Sequence, residues 1–322
     1  MKESLETYIT QRIHQDVLSR QWHHIIISGT IQRSAPATIS SWERTDRPFN
    51  YRRPTATIED DSTITLHCLP SASCVQHYAS VISTYLSLTG GNPAIVQVKI
   101  PRDDTLANIF LASNLPQIEK SDVFIIGDVD LLRGLSAGVS WGNQSEDELF
   151  AWHRYTSRNG NIATLLGCRE SIWGEASGAL SRLVHKIADA QCIIYVGKVG
   201  SLHPGPTPNT TIASGSSAIL DGKLITWDSP LEQAIEGFER VTVGSQITVS
   251  SPLCETNDWL ETWKEKCMWV DCESGHIARV ANETRMDFGY LHIVSDNLSC
   301  ESRDNLSNEH FDDVGSKREG VL

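Results

Sequence analysis

Long apolar runs are missing from this chain: no segment approaches the roughly 18 consecutive apolar residues that a membrane span requires. The start Met1-Lys2-Glu3-Ser4 lacks the apolar core of a signal peptide, so the expectation is a soluble, cytoplasmic protein with no membrane partner. Positive charge is also scarce. Lys and Arg total 27 against 40 Asp and Glu, a net charge of -13. Nucleic acid and anionic lipid surfaces need a basic footprint, and neither is expected as the main partner. Eight cysteines are scattered without any Cys-x-x-Cys or zinc-ligand spacing. They read as reduced structural thiols, with no metal and no bound cofactor expected. The first 140 residues contain no Gly-x-Gly-x-x-Gly and no Walker lysine motif, so no nucleotide site is assigned there.

What is present suits a large core. The 322 residues are 40% apolar and include nine tryptophans, enough for one large α/β domain or two smaller ones. Leu5, Ile9, Ile13 and Val17 predict one amphipathic first helix, and His24 to Gly29 a strand running into a glycine turn. Residues 34–62 read as an irregular polar loop carrying Arg44, Arg47, Arg52 and Arg53. Loops of that length without structure are commonly lids, interface arms or mobile segments. From 63 to 130 the pattern alternates strand, helix, strand, helix, strand, a βαβαβ unit of the kind that builds a parallel sheet. Residues 134–160 suggest a boundary, with Phe150, Trp152 and Tyr155 on the face of a short helix. The division expected is an amino-terminal α/β region over 1–140, a core over 141–300 and a disordered tail over 301–322.

Within the core, residues 161–166 predict a strand, followed by the turn Gly167-Cys168-Arg169-Glu170-Ser171-Ile172-Trp173-Gly174 and a helix striped by Ala176, Leu180, Leu183, Val184 and Ile187. A turn before a helix amino terminus suits an anion, and Arg169 could add charge. A buried strand over 192–196 then leads into the loop Gly197-Lys198-Val199-Gly200-Ser201-Leu202, whose glycines let the backbone approach a ligand. Residues 241–250 read as one long alternating strand. Asn257 reads as the cap of a helix that places Trp259 and Trp263 on one face. Last comes Asp271-Cys272-Glu273-Ser274, opening a helix over 273–285. A turn at Asp287-Phe288-Gly289, a short apolar strand over 290–294 and Ser295-Asp296 follow. One carboxylate opens a helix and another ends the next strand, where open α/β sheets place ligands.

Over 161–299 this order of elements resembles the nucleoside phosphorylase and nucleosidase superfamily, of purine nucleoside phosphorylase and uridine phosphorylase type. Cys272-Glu273-Ser274 stands where that family has Met-Glu-Ser or Met-Glu-Gly, and Ser295-Asp296 where it has Ser-Asp. The resemblance implies a three-layer phosphorylase/hydrolase-like α/β fold, with a central mixed β-sheet flanked by helices. It also implies N-glycosidic cleavage of a nucleoside, purine-type or other, by phosphorolysis or hydrolysis. Asp296 would serve the departing base and Glu273 the ribose hydroxyls, with Cys272, Ser295, Gly197, Lys198, Gly200 and Ser201 around the substrate. Phosphate is a possible co-substrate, at Lys198, Arg169 and Gly29, the last in a first-strand loop; a homo-oligomer is implied too. Some members complete the phosphate site with an arginine from a neighbouring subunit, a role open to the 44–53 cluster. Tyr195 and Lys198 replace the arginine and the serine or threonine usual around the Gly-x-x-Gly loop, and Cys272 replaces methionine. Those departures leave open a repurposed reaction on a nucleoside-like or unrelated metabolite, and a binding protein without turnover.

Overall fold

The structure, a computed structural model, describes residues 2–32, 48–132 and 147–300, together with Leu135, Trp141, Lys317 and Val321. Arg44, Arg47 and, apart from Lys317 and Val321, the expected disordered tail over 301–322 lie outside the described residues.

The chain begins with α1 (Lys2–Thr10) and α2 (Gln15–Leu18) rather than one helix. His14 stops the continuation by adopting an extended backbone and accepting from the Asp16 amide at 3.2 Å, which caps α2. A first sheet follows from β1 (His24–Ser28), β2 (Thr55–Ile58), β3 (Thr63–His67) and β4 (Val96–Lys99), in the order β2-β3-β1-β4. β1 runs parallel to both β3 and β4, and β2 pairs β3 antiparallel. Between β3 and β4 runs α3 (Ala72–Leu88), started by the Ser71 hydroxyl on the Cys74 amide. Its buried Cys74, Val75, Val81 and Ile82 pack at helical spacing.

After α4 (Thr105–Ala112) the chain changes sheets. β5 (Val123–Gly127), the third strand of the expected βαβαβ unit, pairs instead with β7 (Ile162–Cys168) and β8 (Cys192–Ser201) of the second sheet. That sheet's first strand therefore lies inside the region expected to end at residue 140. Residues 150–156 form β6 (Phe150–Thr156), antiparallel to β7, rather than a helix. Strand pairing with β7 overrides the three-residue aromatic spacing, and Phe150 and Ala151 are buried in two separate apolar clusters, one on each face of the strand.

The second sheet is mixed and has eleven strands among the described residues, with β8 and β15 (Asp287–Asn297) parallel at its centre. Helices α5 (Glu175–Ala188) and α8 (Ser274–Thr284) pack on each other against it. Between them come β9 (Ile212–Ser214), β10 (Ser217–Leu220), β11 (Lys223–Thr226), α6 (Glu232–Ile235), β12 (Val241–Val243), β13 (Gln246–Thr248), α7 (Asn257–Trp263) and β14 (Trp269–Asp271). The single strand expected over 241–250 is two strands with different neighbours: β12 joins β9, and β13 joins β10 and β14. They part at Gly244, which lies so close to Met268 that a Cβ there would stand 2.7 Å from its side chain. Thr256, not Asn257, caps α7 by accepting from the Trp259 amide. β8 runs on through Ser201, so the loop expected at 197–202 is strand as far as 201. β15 starts at Asp287 because the chain turns earlier, at Arg285 in the left-handed conformation.

One apolar cluster joins the two sheets, running from Ile9, Ile25 and Leu66 through Phe110 and Phe124 to Leu180 and Ile277. No helix among the described residues is long and apolar enough to cross a membrane.

Candidate functional site

A cavity of about 220 Å³ opens at the carboxyl ends of β5, β8, β14 and β15, with α1 and α3 across from them. The start of α8 explains how its carboxylates are deployed. Asp271, at the end of β14, accepts from the Ser274 amide at 2.7 Å and from the Thr248 hydroxyl at 2.7 Å. The Thr248 oxygen in turn accepts from the Gly275 amide at 2.9 Å. Asp271 and Thr248 thereby satisfy the open N–H groups of the helix. Glu273, at the cap position, makes no capping bond with its side chain and lines the cavity instead.

That placement changes its acidity. Burial, and then the neighbouring Asp271, push the Glu273 carboxyl up to about 8, against the pull of the Gly174 amide and the Tyr195 hydroxyl. Burial raises Asp271 too, opposed by its bonds to Ser274 and Thr248. His292 stands 3.9 Å from Asp271, fully buried between the rings of Tyr195 and Tyr290. Burial lowers its pKa to about 3, so the imidazole is neutral and this contact is no ion pair. Its Nε2 shares a hydrogen bond of 2.9 Å with the Ser274 hydroxyl.

Asp296 owes its position to a bulge. Val294 pairs with Val199 but Asp296 with Gly200, leaving Ser295 extra in β15. Both Ser295 and Asp296 reach the cavity as a result. The Ser295 hydroxyl lies 2.6 Å from Asp296 Oδ1 and 3.1 Å from the Val199 carbonyl. Glu255, after β13, also lines the cavity. Burial first, and the charge of Asp296 second, raise its carboxyl well above the usual range. Below the carboxylates the β8 backbone forms the floor. A Cβ on Gly200 would meet Leu298 at 2.7 Å and Val270 at 2.9 Å, so the strand tolerates no side chain there.

Of the residues singled out in the sequence, Glu273, Asp296, Cys272, Ser295, Gly197, Lys198 and Gly200 share this cavity. Cys272 is buried, and burial together with Glu273 and Glu255 keeps its thiol protonated. The other three do not reach it. Ser201 is buried and donates to the His203 carbonyl at 2.9 Å. Arg169 is buried against the Glu148 carbonyl at 3.2 Å. Gly29 follows β1 of the other sheet, against Pro101 and Val75.

Except for Arg53, which belongs to the arginine cluster singled out in the sequence, the wall opposite was not foreseen. Tyr8 and Arg12 reach in from the first helix and the turn after it, Asn50 and Arg53 from the segment before β2, and Cys74, His77 and Tyr78 from α3. His77 stacks on Trp173 at 4.4 Å and shares a hydrogen bond of 2.8 Å with the Ser251 hydroxyl. Burial, with a smaller push from Arg12, holds its pKa down to about 3. The one legible signal was the spacing of Cys74, His77 and Tyr78, three and four residues apart on one helix face.

No protein-family model and no curated protein sequence matches this chain. Solved structures do resemble it. A 5′-methylthioadenosine/S-adenosylhomocysteine nucleosidase from Campylobacter jejuni shares 12% identity over 62% of this chain and 95% of its own, with a TM-score of 0.49. The apo 5′-methylthioadenosine nucleosidase of Arabidopsis thaliana shares 14% over 63% and 93%, with a TM-score of 0.47. Futalosine hydrolase of Helicobacter pylori shares 13% over 64% and 95%, also at 0.47. The case for a function rests instead on the side chains of the cavity.

Proposed function

We propose that this protein cleaves the N-glycosidic bond of a nucleoside-like small molecule, with Asp296 and Glu273 on either side of the breaking bond. The observation that carries this reading is the pairing of two differently tuned carboxyl sites in one cavity: Asp296 with the protonated Glu255, and Glu273 with Asp271. Breaking the C1′–N bond sends its electron pair to the base and leaves a cationic sugar. The Asp296–Glu255 pair holds a proton for the base nitrogen. Ionised Glu273 holds the sugar hydroxyls and faces the developing cation. An acceptor then bonds to C1′; when it is water, the proton it gives up restores the carboxyl pair. Water is the acceptor proposed, since Arg169 and Gly29, two of the three expected anion ligands, lie outside the cavity; Lys198, Arg12 and Arg53 line it, so addition of phosphate tests the alternative.

This reading predicts a pH profile. Glu273 acts as the anion, so kcat/KM rises with pH until the carboxyl ionises at about 8. Glu273→Gln lowers the rate and removes the rising limb. A profile that keeps the same limb in that variant would place the titrating group elsewhere.

A further inference from the structure

Two consecutive serines clamp an aromatic pair at the cavity. The Ser250 carbonyl accepts from Trp173 Nε1 at 3.1 Å, and the Ser251 hydroxyl lies 2.8 Å from His77 Nδ1. The two rings stack at 4.4 Å between centres with 23° between their planes, and Tyr78 stands edge-on to His77 at 5.3 Å. Both members of the stack line the cavity, although His77 is only 4% exposed. The chemistry proposed above makes no use of this histidine.

The hydrogen bonds of Ser251 determine which nitrogen of His77 carries the proton. Ser251 is buried, and its oxygen accepts from the Leu253 amide at 3.2 Å. Its own single proton has one acceptor among the described residues, His77 Nδ1. Nδ1 therefore accepts, and in the neutral ring the hydrogen sits on Nε2. Nε2 has no hydrogen-bond partner among the described residues. A buried N–H left in that state is costly, and an acceptor in the cavity relieves the cost. The same segment says which end of a substrate His77 meets. Ser251 opens the short turn Pro252–Cys254, Glu255 follows it, and both Pro252 and Glu255 line the cavity. His77 is thus tied to the stretch that carries the base-side acid.

We propose that His77 is a base-recognition residue, its Nε2–H donating to an uncharged acceptor, a ring nitrogen or a carbonyl oxygen, of the base held by Asp296 and Glu255. This rests on the glycosidic reading above and deepens it. Nε2–H only donates, so a base presenting an N–H or C–H at that point leaves it unpaired and is rejected.

Free bases offer nothing to cleave, so their binding is measured by itself. Adenine, hypoxanthine, uracil and cytosine are titrated calorimetrically into wild type. Each is paired with analogues in which one ring nitrogen becomes C–H or one carbonyl oxygen becomes hydrogen. At one acceptor position the replacement should weaken binding to wild type about tenfold or more, the effect of leaving one buried donor unpaired. The same replacement should cost little in His77→Phe, which keeps a ring on Trp173 but has no donor. Ser251→Ala should fall between the two, because Nδ1 can then take the proton and leave Nε2 as an acceptor. The ratio of base to analogue is internal to each protein, so a loss of folded protein does not imitate the effect. No base bound by wild type, no position at which replacement costs affinity, or a cost undiminished in His77→Phe overturns the proposal. A cost undiminished in Ser251→Ala overturns the proton placement on which it stands. Base release from the parent nucleosides is followed in parallel. A His77-dependent cost without any release supports the recognition role and removes the glycosidic reading, and release without that cost does the reverse.

Discussion

Glu273 and Asp271 stand two residues apart in a place where burial disfavours both anions, and the hydrogen bonds decide which keeps its charge. Asp271 takes the Ser274 amide and the Thr248 hydroxyl, whereas Glu273 is left protonated up to about 8. The folded chain thus holds a proton that the unfolded chain releases near the ordinary carboxyl value of 4.5. Between those values folding binds more protons than unfolding, so this group makes stability fall as pH rises. The buried His77 and His292, both lowered to about 3, act in the opposite sense and lower stability as pH drops below their unfolded value of 6.5. Glu273→Gln should therefore raise the melting temperature relative to wild type, by a margin that widens from about pH 5 to about pH 8. A margin that stays constant over that range would mean that Glu273 is not the protonated group. The proposed acid and sugar-binding residues were legible in sequence because each belongs to a short motif with an element boundary beside it. Glu255 and Arg12 were not, since each reaches the cavity from a distant segment and local spacing has no signal for that.

The elements that aim these residues depend on small local devices. Helix α8 starts on a carboxylate and a hydroxyl contributed by two neighbouring strands, β14 and β13, which frees Glu273 for the cavity. Asp271→Ala removes the acceptor for the Ser274 amide and for the Thr248 hydroxyl, both buried. It should cost about 2 kcal/mol or more, read as a lower urea midpoint with unchanged slope. Asp271→Asn, which keeps an acceptor oxygen, should lose less, and equal losses would show that the cap is not the cause. The bulge at Ser295 is a device of the same kind and was invisible in sequence. The sequence reading ended this strand at residue 294, before Ser295, and only pairing with β8 exposes the extra residue. Pairing partners likewise made β6 a strand and split β12 from β13. The long helices α3, α5 and α8 were legible because their apolar stripes are long enough to override neighbouring context.

Across the whole molecule, the first sheet is bound into the core of the second. β5 leaves the amino-terminal βαβ pattern to pair with β7 and β8, and a single apolar cluster spans both sheets. The amino-terminal third is consequently part of the site, supplying Arg12, Arg53 and His77 to a cavity whose carboxylates come from the second sheet. The sequence division near residue 140 missed this because β5 and the strands before it share one alternating pattern, and only hydrogen bonding separates them. The central claim concerns what that combined cavity does to a glycosidic bond. Its most direct measurement is chromatographic detection of free base from a panel of purine and pyrimidine nucleosides. The panel is incubated with wild type and with Asp296→Ala, with and without phosphate. The account predicts base release by wild type without added phosphate, and release at least about a hundredfold slower in a folded Asp296→Ala variant, as loss of a general acid costs. No release from any member of the panel, or undiminished release by the variant, would contradict it.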